Sequence, residues 1–140
     1  MRVVLDTGIF ISAFLSTEGY PRKVVNLWLD KEFQLITSEW QIEEIKRVSQ
    51  YDRLKERIVH RDIGFLINRL KRHAIVLKEI PNVDYSPDPD DNPILATALA
   101  GEAQYLVSGD KRDILDLEVV VGVRILTARE FVELFDMPEQ

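Results

Sequence analysis

Four acidic residues stand where predicted strands end or helices begin: Asp6, Glu44, Asp91 and Asp110. Asp6 closes the apolar run Val3-Val4-Leu5, and Asp110 follows Tyr105-Leu106-Val107 after Ser108-Gly109. Asp91 opens a helical stretch with Pro93 in its first turn, and Glu44 lies early on a helix behind a second strand. Two carboxylates about 4 Å apart repel by roughly 4 kcal/mol at an effective dielectric near 20, so such a group needs a divalent cation to offset its charge. All-oxygen donors suit Mg²⁺ or Mn²⁺. With no cysteine and only His60 and His73, the chain is poorly equipped for zinc. A cation held this way activates water, steadies a leaving oxygen and holds a phosphodiester in line. Each acid also has a plainer role. Asp6 and Asp91 suit helix caps, Asp110 suits a turn, and Glu44 beside Glu43 suits a solvated helix face.

The elements that must position these acids follow from periodicity. Val3–Leu5, Phe33–Ile36, Ile75–Leu77 and Tyr105–Val107 read as short buried strands, and Val119–Leu126 as the stretch holding a last one. Helical faces run through Ile9–Leu15, Val24–Leu29, Trp40–Val48, Leu54–Ile58, Ile63–Leu70, Ile94–Leu99 and Phe131–Phe135. Thr37 or Ser38 caps the third of these, Thr127 caps the last, and Gly101 ends the helix before the fourth strand. The alternation predicts an α/β fold in one domain over residues 1–140. It is an α/β/α sandwich with a central, mostly parallel sheet of four to five strands. Ligands in such folds bind at the carboxyl ends of strands.

The chain has 140 residues and a net charge of −6. That total speaks against a nucleic-acid partner, but its distribution does not. Between Lys46 and Arg72 nine basic residues face three acids. The stretch is either a phosphate-facing patch or the solvated face of helices. Arg47, Arg53, Lys55, Arg57 and Arg61 are the candidate phosphate contacts. His60 and His73 read as surface residues, Trp28 and Trp40 as core. The absence of cysteine fits a reducing cytoplasm. No apolar run reaches a membrane-spanning length, and the start of the chain reads as a strand and not a signal peptide.

The stretches VVLDTGIFISAF, SEWQIEEIKRV, DPDDNPILATALA and AQYLVSGDKRDIL resemble the PIN-domain family over nearly the whole chain, nearest the branch described as toxins of toxin–antitoxin pairs. The resemblance implies Mg²⁺ or Mn²⁺ ligands at Asp6, Glu44, Asp91 and Asp110, with Asp113 as a further ligand. Asp88 or Asp90 are accessory acids, and Ser108 matches the small hydroxyl residue before the last aspartate. It also implies an endoribonuclease acting on single-stranded RNA, a homodimer, and a small antitoxin protein as partner.

One residue departs from the family's pattern. The first motif usually reads Asp-Thr-Asn, and here it is Asp6-Thr7-Gly8. Either Gly8 serves the backbone at the strand-to-helix turn, or its missing side chain weakens catalysis. The second option leaves open a PIN-like domain that binds RNA or a protein without cleaving. An aspartic protease would also use Asp-Thr-Gly, but it is almost wholly β. A small-substrate phosphohydrolase would want a second Asp where Gly8 stands.

Overall fold

The computed structural model describes residues 1–51, 54, 56–58, 60–109 and 112–136. Six strands form one sheet: β1 (Arg2–Leu5), β2 (Gln34–Ser38), β3 (Ile75–Leu77), β4 (Tyr105–Ser108), β5 (Val119–Val120) and β6 (Val123–Thr127). The helices are α1 (Thr7–Leu15), α2 (Tyr20–Leu29), α3 (Glu39–Ser49), α4 (His60–His73), α5 (Asn92–Ala100), α6 (Arg112–Leu115) and α7 (Ala128–Asp136). A 3₁₀ turn at Pro89–Asp91 leads into α5. The strand order is β3-β2-β1-β4-β6-β5, and every neighbouring pair is parallel except β5 with β6.

Alternation along each strand divides the core into two layers. Val3, Leu5, Leu35, Val107 and Leu126 face one side, with apolar residues of α1, α2, α3, α4 and α7 packed on them. Val4, Ile36, Leu106 and Ile125 face the other, under Ile94, Leu95 and Ala98 of α5 and Ile114 of α6. Strands buried on both faces explain why β1 and β4 read as unbroken apolar runs. No described helix is long and apolar enough to cross a membrane.

Local chemistry sets the element ends. Ser38 caps α3 by accepting a 3.2 Å hydrogen bond from Gln41 N–H. Thr127 and Glu130 form a reciprocal capping box on α7, with both bonds at 3.1 Å. Gly101 does end α5, but in an ordinary right-handed conformation. A Cβ there would lie 2.4 Å from Ile36 Cγ2 and 3.1 Å from the Thr97 carbonyl oxygen. The glycine therefore lets the helix end close on β2 and is not needed for its φ.

The sheet has six strands where the sequence predicts four to five. The extra one arises because Val119–Leu126 is a hairpin, β5-turn-β6, whose turn residues Val121 and Gly122 have φ of 45° and 85°. Valine is a poor residue for left-handed backbone, so the turn carries no sequence signal. The predicted helix at Leu54–Ile58 lies partly outside the described residues.

Candidate functional site

From β1 the chain builds outward through β2 and β3 on one side, then returns to place β4 on β1's other side. The carboxyl ends of β1 and β4 therefore flank the point where the strand order reverses, the crevice in which doubly wound sheets bind ligands. Asp6 and Ser108 stand at these two ends. Asp6 is 2% exposed; its N–H donates 2.9 Å to Val107 O and its Oδ2 accepts a 2.9 Å bond from Ser108 Oγ. Asp6 occupies the N-cap position of α1, yet its side chain makes no capping bond. The plain role open to it in sequence is not the one it fills.

Glu44 and Glu43, equivalent in sequence, part company in the fold. Glu43 is exposed and pairs with Lys46 at 3.2 Å. Glu44 turns toward β1: Thr7 Oγ1 donates a hydrogen bond to its Oε1, and Arg47 lies 3.7 Å from its Oε2. One turn before Glu44, Gln41 is fully buried. Its Nε2 donates 2.6 Å to the Leu5 carbonyl and its Oε1 accepts from Thr37 Oγ1. Gln41 thus ties α3 to the last residue of β1, and Glu44 follows on the same helical face. Thr7 and Gln41 escaped sequence reasoning. Their only signals are adjacency to Asp6 and the three-residue spacing to Glu44.

Asp91 ends the 3₁₀ turn at 1% exposure, and its Oδ2 accepts 3.1 Å from Ser86 Oγ. It too makes no capping bond. Asn92 secures the preceding loop by accepting from Tyr85 N–H at 3.1 Å and Ser86 N–H at 3.0 Å. Because α5 runs into β4, its start lies at the carboxyl edge of the sheet, the same edge as Asp6. Asp88 caps the 3₁₀ turn, accepting from Asp90 N–H at 3.0 Å, and Asp90 is exposed. Asp113 is exposed on α6. Asp110, Arg53 and Lys55 lie outside the described residues. Among the described residues no three His, Asp or Glu side chains form a group able to hold a metal ion. The donors at this edge are nonetheless all oxygen, the chemistry that Mg²⁺ and Mn²⁺ require.

Two clefts meet over the start of α1. One, about 370 Å³, is lined by Asp6, Ser108, Tyr20 and Arg129, the other, about 540 Å³, by Thr7, Glu44, Tyr51 and Arg57; Gly8 and Ser12 line both. Gly8 is the second residue of α1, its φ is not positive, and a Cβ built on it meets nothing within 4 Å. The backbone does not need glycine here, which removes one of the two explanations for it. Arg129, not foreseen from sequence, brings a permanent cation to the Asp6 cleft. Its Nε donates 2.9 Å to Glu133, and this bond raises the guanidinium's pKa above its ordinary value. Of the predicted phosphate contacts, Arg47 and Arg57 border Glu44, while Arg61 is exposed on α4.

Residues 2–112 match the family described as PIN domain. Over 145 aligned residues the chain is 24% identical to an uncharacterized protein of Methanocaldococcus jannaschii, the match covering 97% of this chain and 92% of that protein.

Proposed function

The chain belongs to the PIN-domain family, whose members are generally nucleases, and from that membership we propose that it is an Mg²⁺- or Mn²⁺-dependent endoribonuclease of single-stranded RNA. The observation that carries this is the buried Asp6 carboxylate, held by Ser108 where the strand order reverses, with Glu44 tied to the adjacent Thr7. In this proposal Asp6, Glu44, Asp91 and Asp110 ligate the cation and Asp113 assists. A bound divalent ion supplies an activated water and neutralises charge on the phosphodiester. Ser108 and Thr7 orient the carboxylates they bond, and Arg47, Arg57 and Arg129 attract the phosphate backbone at the rim.

The test is cleavage of a labelled single-stranded RNA with Mg²⁺ or Mn²⁺, with EDTA, and with Asp6→Asn and Asp110→Asn. EDTA and each variant should lower the rate by about two orders of magnitude or more, the scale of several kcal/mol that a metal contributes. Equal rates throughout would sink the proposal. The resemblance to the toxin branch extends the reading to a homodimer restrained by an antitoxin. The product of a neighbouring gene, co-expressed and tested for inhibition, checks that extension.

Gly8, where the family's motif carries Asn, favours a second reading: a PIN-like domain that binds RNA or a protein without efficient cleavage. Calorimetric titration decides, since such a domain would bind neither Mg²⁺ nor Mn²⁺ at millimolar concentration.

A further inference from the structure

We propose that single-stranded RNA leaves the acidic clefts along the exposed face of α4, with a base stacked on Phe65 and phosphates held by Arg61 and Arg72. The proposal rests on the endoribonuclease reading for its ligand. It rests on α4 itself for its path.

The helix is placed for this. It precedes β3, which runs parallel to β2 and β1, so α4 starts at the carboxyl edge of the sheet and descends toward the amino edge. Arg57, just before it, lines the cleft that contains Glu44. Arg61, Phe65 and Arg69 then follow at four-residue intervals, with Arg72 at the next turn, which puts them on one side of the helix. The opposite side, Ile63, Leu66, Ile67 and Leu70, is buried in the core. Arg61, Gly64, Phe65, Asn68, Lys71 and Arg72 are exposed on α4, Arg69 is half-buried, and no acid lies between Ile63 and Arg72.

Phe65 is the feature that folding does not account for. It is 60% exposed, the most exposed aromatic ring among the described residues. The Arg69 guanidinium carbon lies 5.4 Å from its ring centroid. Arg69 Nε is buried and has no hydrogen-bond partner among the described residues, so the Phe65 ring is the contact shown for this guanidinium. The ion pairs found among the described residues engage Lys46, Arg47 and Arg129 and none of the α4 arginines. A ring interleaved with cations one helical turn apart matches the alternation of base and phosphate in a single strand. A duplex, with its bases stacked inside, offers nothing to the ring.

The test is fluorescence anisotropy of a labelled single-stranded RNA of about ten nucleotides on the full chain, in EDTA so that no cleavage intervenes. Phe65→Ala should weaken binding about tenfold, Phe65→Leu should not restore it, and Phe65→Trp should. Arg61→Gln with Arg72→Gln should lower both affinity and its dependence on salt, while a matched duplex should be insensitive to Phe65. Binding by Phe65→Ala within twofold of the native chain would overturn the path, as would an unchanged salt slope. Poly-glutamate binding that depends on Phe65 as strongly as RNA binding would assign the face to an acidic protein instead. A chain that binds RNA as expected but never cleaves it with Mn²⁺ refutes the nuclease reading and leaves the path standing. Cleavage without any dependence of binding on Phe65 does the reverse.

Discussion

Ser108 Oγ lies 2.9 Å from Asp6 Oδ2, joining residues 102 positions apart in the chain. Both are almost completely buried, Ser108 at 0% and Asp6 at 2%. A carboxylate in such a place is held by its donors, and the serine hydroxyl fixes which way one of its oxygens points.

Ser108→Ala should therefore weaken Mn²⁺ binding by about 10- to 100-fold, the range seen when a ligand loses a supporting hydrogen bond. Calorimetric titration with Mn²⁺ measures it directly. Native affinity in the alanine variant would show that Ser108 does not position a metal ligand.

Gln41→Leu removes two hydrogen bonds among buried groups, those to the Leu5 carbonyl and from the Thr37 hydroxyl. The expected loss of stability is about 1–3 kcal/mol, read from the denaturant midpoint. RNA cleavage should fall further than this destabilisation explains under fully folded conditions, because Glu44 stands one turn further along the same helix. A variant that is destabilised yet fully active would confine Gln41 to the fold.

Gly8 can be replaced. Gly8→Ala should raise stability by up to about 1 kcal/mol, since alanine is the better helix former and no atom stands in its way. Gly8→Asn should fold equally well and increase the rate of metal-dependent RNA cleavage. If thermal melting is unchanged and the rate does not rise, Gly8 is not what limits catalysis.

Val121→Asn should stabilise the protein by about 1 kcal/mol. Val121 holds a φ of 45° and is 73% exposed, so it bears left-handed strain and gains little from burial. The change gives Asn-Gly, the preferred pair for a two-residue hairpin turn of this kind. A lower midpoint in urea would contradict the strain argument.

The place of Asp6 at a strand end is legible because a strand buried on both faces is spelled as an apolar run, and Asp6 interrupts one abruptly. The sandwich followed from the same runs alternating with helical periods. Spacing alone does not separate Glu44 from Glu43; what distinguishes Glu44 is the Thr7 hydroxyl, which only the packing of α3 against α1 brings to it. The β5-β6 hairpin stayed hidden because Val121 defies turn chemistry. Gly101 does end its helix, and the need for glycine there comes from the Ile36 methyl group, which only the packed sheet brings near.

The placement of β4 beside β1 has a consequence for the nascent chain. While β1, β2 and β3 have left the ribosome, β1 still lacks its neighbour on one side, and Asp6 lacks its serine. The pocket closes only after Tyr105–Ser108 has been synthesised and β4 has inserted into the middle of the sheet, a contact of long sequence separation that forms late. A centre built this way cannot bring Asp6 and Ser108 together before β4 itself has been made.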